Sequence, residues 1–247
     1  MIIYHYRLLA LDYLSEDIIL LKFLPESHSP TLTYLSGQYI EVFLENNTLF
    51  PLSISRSPNI DLALDPEPSQ LISFHLKAGK QHPLAEIFLA QVKKQGHLKF
   101  TGPKGHCIPK SAEAYYFIAG GTGFSPIEAL LTDLLPLAKP CLLYWGITHT
   151  KDLYQEKLLN HWLKKYPNFS YIPVLLEAET TWTRKTGWVH ELFFQEQTQN
   201  LLYHVSANRS YYVYASGPYP MIQALKQGFM VKNLDLHALL SDMLPPL

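Results

Sequence analysis

At about Pro109 the chain changes rhythm, and that change limits what it can fold into more than any other feature. Before it, short apolar or aromatic runs stand at 2–9, 18–23, 39–44, 52–55, 71–76 and 97–101. The breaks between them, such as 25–30, 45–48 and 58–68, are rich in Pro, Asn, Ser and Gly. Short β-branched and aromatic runs bounded by turn formers read as strands. Several in succession predict a closed or nearly closed antiparallel barrel, because closure removes exposed edges. One helix is expected among them at 83–92, with Pro83 suited to a first helical position and Gly96 past the end.

After Pro109, strands at 115–119, 141–145, 171–176 and 211–215 alternate with amphipathic segments at 126–137, 153–165, 189–195 and 221–231. That order calls for right-handed crossovers and a mainly parallel sheet with helices on both faces. The expectation is two domains: an antiparallel β-barrel at 1–108 and an α/β Rossmann-like parallel sheet at 109–247, joined somewhere in 101–113. A chain of 247 residues has the length for two such cores.

Composition narrows the partners. Twenty Lys and Arg against 21 Asp and Glu give a formal net charge of -1, without the basic excess of a nucleic-acid or anionic-membrane binder. Cys107 and Cys141 stand too far apart to form an iron–sulfur or zinc cluster, and the 11 His show no metal-ligand spacing, so no metal site is expected. The N-terminal segment carries Arg7, Asp12, Glu16 and Asp17, which fits neither a signal peptide nor a membrane span, and a cytoplasmic location is expected.

The sharpest local signal is Phe117-Ile118-Ala119-Gly120-Gly121-Thr122-Gly123-Phe124-Ser125-Pro126, a strand running through three glycines into a helix. Glycines let backbone N–H groups approach a phosphate, and a helix start adds unpaired donors and partial positive charge. The same residues also describe a plain glycine turn. They match neither Gly-x-Gly-x-x-Gly nor a Walker loop, since no Lys follows. Ser216-Gly217-Pro218 and Trp145-Gly146 end two further strands, and ligands in open α/β sheets lie at such ends. No Gly-x-Ser-x-Gly elbow is present, which argues against a hydrolase.

In the first half, Gly37-Gln38-Tyr39 leads into one strand and Phe50-Pro51-Leu52-Ser53-Ile54-Ser55 forms another. Together with Gly102-Pro103-Lys104-Gly105, Ala119 through Pro126, Trp145-Gly146 and Ser216-Gly217-Pro218, in this order across almost the whole chain, they resemble the ferredoxin–NADP reductase superfamily. The resemblance is strongest to its compact NAD(P)H:flavin reductase branch. It implies a flavin-binding barrel followed by an NAD(P)-binding domain, with hydride passing from nicotinamide C4 to flavin N5 in the cleft between them.

By the same resemblance, Pro51, Leu52 and Ser53 contact the flavin, with Ser53 near N5, and His75, Leu76 and Lys77 pass under its ribityl chain. Gly120, Gly121, Thr122, Gly123 and Pro126 cradle the nucleotide diphosphate, with Thr122 seating the nicotinamide; Trp145, Gly146, Ser216, Gly217 and Pro218 complete that side. Ser53 and Thr122 are the two implied catalytic residues. His149 and Lys151 are candidates for the adenosine ribose or its 2′-phosphate, leaving NADH and NADPH open.

Three departures from the family pattern stand out. Its flavin-phosphate Arg falls at Phe50 and its aromatic at Leu52, so a charge-assisted contact is missing. Its catalytic Cys falls at Ser216, and the aromatic C-terminus that often covers the flavin is replaced by Leu240-Ser241-Asp242-Met243-Leu244. The first departure favours riboflavin, FMN or FAD as an exchangeable substrate, with an acceptor protein using the reduced flavin. Two other readings remain open: a reductase component with tightly held flavin serving a separate redox partner, and a nucleotide-binding module that has lost catalysis.

Overall fold

A computed structural model of the chain describes residues 2–45, 48–60 and 67–245. Two of the expected breaks, 45–48 and 58–68, lie partly outside the described residues.

The first sheet contains β1 (Tyr4–Tyr13), β2 (Ile18–Pro25), β3 (Tyr39–Phe43), β4 (Leu49–Ser53), β5 (Ile72–Lys77) and β6 (His97–Lys104), in the order β4-β3-β6-β1-β2-β5. All its ladders are antiparallel. The sheet curls without closing, since β4 and β5 form no ladder with each other. Ser55 N donates to Ser73 O at 2.8 Å just past the end of β4, and the two hydroxyls lie 2.8 Å apart. Tyr6, Phe23, Phe74 and Phe100 fill the interior, and α1 (Pro83–Gln95) covers it with Phe88 and Val92.

The second sheet contains β7 (Ala114–Gly120), β8 (Cys141–Ile147), β9 (Phe169–Leu175), β10 (Lys185–Thr186), β11 (Tyr211–Ser216) and β12 (Leu239–Leu240). They run in parallel in the order β10-β9-β8-β7-β11-β12. The strands have the period of two that a sheet buried on both faces requires. Along β7, Tyr115, Phe117 and Ala119 pack on α2 (Phe124–Leu134) and α3 (Glu156–Lys165). Tyr116 and Ile118 face the other way, against α4 (Val189–Ser206) and α5 (Tyr219–Val231). The order of winding reverses at β7, with β8, β9 and β10 added on one side and β11 on the other, so the crevice at the carboxyl ends of β7 and β11 is the switch point where such sheets bind ligands.

Some boundaries differ from the sequence expectation. The helix expected at 126–137 starts at Phe124, because a 3₁₀ turn over Gly121–Gly123 leads directly into it, and Pro126 is its third residue rather than its first. The one expected at 189–195 runs on to Ser206, although residues 195–200 lack an apolar stripe; Leu201, fully buried, anchors the extension. The strands β10 and β12, two residues each, are too short to leave a periodic signal. Among the described residues, no helix is long and apolar enough to cross a membrane.

Candidate active site between the two sheets

A cleft of about 1440 Å³ opens where β4 and β5 meet the carboxyl ends of β7, β8 and β11. Its wall on the side of β7 and β11 is built from backbone packed unusually closely. A Cβ on Gly123 would fall 2.1 Å from Ser216 O, and one on Gly120 would fall 2.7 Å from Pro218 Cδ. The loops after β7 and β11 are thus fitted into one another, which only residues without side chains allow. Gly121 differs: its φ of +53° is left-handed, and nothing lies within 4 Å of where a Cβ would be.

Both helices that begin on these loops, α2 and α5, lack a side-chain cap. Phe124 N already donates to Gly121 O and Thr122 O and Met221 N to Pro218 O, and Pro126 and Pro220 carry no N–H, so what these helix starts bring to the cleft wall is chiefly the partial positive charge of a helix N-terminus, which favours phosphate groups. Trp145 lies fully buried beneath this wall. Its ring stacks on Phe124 with centroids 4.3 Å apart, and its Nε1 donates to Gly121 O at 2.9 Å, holding the glycine turn in shape.

On the other wall, Pro51, Leu52 and Ser53 of β4 and His75, Leu76 and Lys77 of β5 line the cleft. The β4 alternation turns Leu52 into the core and leaves Ser53 half-buried. Phe50, where the family pattern has its Arg, is partly buried: its ring packs against Phe88 at 5.4 Å at the edge of the barrel core, and it also lines the cleft.

His75 directs its ring into the contact between the two sheets. The side chain is fully buried, with Nδ1 3.0 Å from Tyr154 Oη and Nε2 3.5 Å from Glu128 Oε2. What it offers the cleft is therefore backbone. Burial pushes the imidazole down to about 3 and the Glu128 carboxyl up to about 8, although Gln155 Nε2 donates to that carboxyl at 3.2 Å. At neutral pH an uncharged ring faces an uncharged acid.

Lys77 Nζ reaches Asp152 Oδ1 at 3.2 Å and Asp17 Oδ2 at 3.6 Å, and Lys151 pairs with Glu16. At the tail, Asp242 accepts from His106 N at 2.7 Å and Cys107 N at 3.1 Å, and the next residue, half-exposed Met243, lines the cleft.

Of the residues singled out in the sequence, Pro51, Leu52, Ser53, His75, Leu76, Lys77, Gly120, Gly121, Thr122, Gly123, Gly146, Ser216, Gly217 and Pro218 all line this one cleft. Pro126 and Trp145 do not; both are buried and support the wall from behind. His149 and Lys151 lie on the same cleft. Sequence reading missed Glu128, Tyr154 and Asp152, whose side chains join the two sheets, because their partners lie tens of residues away and obey no local spacing. Among the described residues, no group of three or more His, Cys, Asp or Glu is placed to hold a metal ion.

Comparison with known proteins gives the half of the chain on one side of this cleft a family. The model of the oxidoreductase NAD-binding domain family matches residues 117–227. The NAD(P)H-flavin reductase of Vibrio harveyi is 28% identical over 213 positions, spanning 83% of this chain and 82% of its own. The CDP-6-deoxy-L-threo-D-glycero-4-hexulose-3-dehydrase reductase of Yersinia pestis is 28% identical over 251 positions, spanning 98% of this chain and 69% of its own. Among solved structures, the ferredoxin reductase in carbazole 1,9a-dioxygenase shares the fold, with a TM-score of 0.78 at 19% identity over 97% of this chain and 68% of that one. Residues 117–227 thus carry an oxidoreductase NAD-binding domain, and over most of its length the chain is similar to an NAD(P)H-flavin reductase and has the fold of a ferredoxin reductase.

Proposed function

We propose that the chain is an NAD(P)H-dependent flavin reductase that takes riboflavin, FMN or FAD as an exchangeable substrate. The flavin and the nicotinamide nucleotide supply the chemistry, N5 of one accepting hydride from C4 of the other. The cleft fits such a pair. Its volume of about 1440 Å³ exceeds the roughly 300–1,000 Å³ of a single-ligand pocket. Its wall of glycine loops and uncapped helix starts suits a diphosphate.

The protein's part in this reading is alignment. Ser53 and Thr122 line the cleft from opposite walls. Ser53 carries a hydroxyl able to donate toward the flavin, while Thr122, on the turn before α2, seats the nicotinamide. Bringing reacting atoms to about 3–3.5 Å is worth several kcal/mol of barrier.

One observation carries the choice of exchangeable flavin: β4 presents Phe50, committed to Phe88, where a phosphate-binding cation belongs. The cleft lysines Lys77 and Lys151 are already ion-paired. Lys80 and His82 stand on the exposed turn before α1. A flavin phosphate held without a dedicated Arg loses a charge-assisted, bidentate contact.

The test is an absorbance scan of the purified protein, followed by NADH and NADPH oxidation with each flavin added. Little retained flavin and oxidation that depends on added flavin are expected; no flavin-stimulated oxidation with either nucleotide overturns the proposal. A second reading, an electron-transfer component with retained flavin serving a separate enzyme, is motivated by the similarity to the Yersinia dehydrase reductase over 98% of the chain. A yellow protein whose flavin survives gel filtration selects it.

A further inference from the structure

Ser125 lies one residue inside α2, directly after the glycine turn, and is 2% exposed. Its hydroxyl is used twice, and both times across to the other sheet. Oγ donates to Ser53 O at 2.9 Å and accepts from His75 N at 3.4 Å. Ser53 and His75 belong to β4 and β5, the two strands that end the open antiparallel sheet and share no ladder. One buried hydroxyl therefore ties together the start of α2 and both strands that end the open sheet, at the gap where these strands share no ladder.

We infer that Ser125 is a positioning residue for hydride transfer: its hydroxyl sets the distance between the Gly121–Gly123 turn and Ser53, and so between the two rings that the cleft aligns. The inference rests on the reductase reading above. Among the described residues, the other polar contacts between the sheets do not reach Ser53: Tyr154 and Glu128 meet the side chain of His75. Lys77–Asp152 joins the far end of β5 to the segment before α3, and Ser57–Asp133 joins a loop to the far end of α2. The Ser125 hydroxyl alone among these touches the backbone of Ser53 itself. Removing the hydroxyl, as in Ser125→Ala, leaves Ser53 O and His75 N without this partner. A small displacement is then expected to act on the rate of the chemical step and not on affinity, because reaction rates fall steeply when reacting atoms are misplaced by about 1 Å.

The experiment is anaerobic stopped-flow bleaching of FMN by saturating NADH or NADPH, with nucleotide affinity and thermal melting measured alongside. Wild-type protein is run first, and if it bleaches no flavin, the reductase reading fails and this inference falls with it. If it does, Ser125→Ala is expected to bleach flavin at least about tenfold more slowly at saturation, with nucleotide affinity within about twofold of wild type. The primary isotope effect with nucleotide deuterated at C4 should rise toward its full value. Ser125→Thr, which keeps the hydroxyl, should recover most of the rate. Ser125→Cys, close in size but a weak donor, should be slow like the alanine variant and decides the matter if that variant does not fold. Unchanged bleaching in the alanine and cysteine variants overturns the inference. So does a slowing that tracks lost affinity and lower melting temperature with an unchanged isotope effect, which would mark Ser125 as merely structural.

Discussion

His75 and Glu128 lie 3.5 Å apart, each in the form that burial favours, and together they make a pH signature that a surface pair would not. Glu128 keeps its proton up to about 8, against a usual value of 4.5, so the folded chain holds an extra proton between those values and loses stability as pH rises through them. His75 resists protonation down to about 3, against 6.5 in the open, so stability rises with pH between those values. From 4.5 to 6.5 the two slopes oppose and cancel; above 6.5 only the Glu128 loss remains. The pair's own contribution to stability is therefore expected to be level from about pH 4.5 to 6.5 and then to fall by about 2 kcal/mol by pH 8, about 4–8 °C in melting temperature. Glu128→Gln should abolish that fall, and a variant that keeps the wild-type slope above pH 6.5 refutes the assignment. Nothing in the sequence points to this pair: His75 sits in an apolar strand and Glu128 in an amphipathic helix, each unremarkable among its neighbours. Only the folding of one sheet against the other brings them together.

At the scale of elements, the glycine turn was legible because its chemistry is local. A strand, three glycines and a helix start follow one another within ten residues of the chain. The purpose of Gly120 and Gly123 was not legible, since it depends on the loop after β11, almost a hundred residues later, whereas Gly121 answers only to its own left-handed φ. Gly123 is the most constrained of the three, because the atom a Cβ would strike is a backbone carbonyl that cannot rotate away. Gly123→Ala is accordingly expected to force the β7 and β11 loops apart, destabilise the protein by about 1–3 kcal/mol and weaken NADH or NADPH binding more than tenfold. Thermal melting and fluorescence titration measure both effects. Binding within twofold of wild type would show that the interlocked loops do not shape the nucleotide wall. The same contrast explains the misjudged boundaries: α4 outruns its apolar stripe because Leu201 packs into the core beyond a polar stretch, and that contact is tertiary.

For the molecule as a whole, the cleft works only if the two sheets keep a fixed relation, and a buried carboxylate does much of that fixing. Asp152 is 1% exposed, accepts from His149 N at 3.0 Å and meets Lys77 Nζ at 3.2 Å, so it ties β5 to the segment before α3. Replacing it with alanine leaves a partly buried ammonium with only Asp17, 3.6 Å away, and removes the acceptor for a loop N–H. The expected cost is about 1.5–3 kcal/mol, the range for hydrogen bonds to charged groups. The distribution of tryptophan makes the consequence visible. Trp145, Trp162, Trp182 and Trp188 all belong to the second half of the chain, so their fluorescence reports only the parallel sheet and its helices, while far-ultraviolet circular dichroism reports both halves. In urea the two signals should change together for the wild-type protein, because an interface of ion pairs and buried hydrogen bonds couples the halves. In Asp152→Ala the midpoints should fall and separate, each half then unfolding at its own stability. If the variant's two transitions stay superimposed at the wild-type midpoint, the coupling resides in other contacts, and Asp152 does not hold the cleft in register.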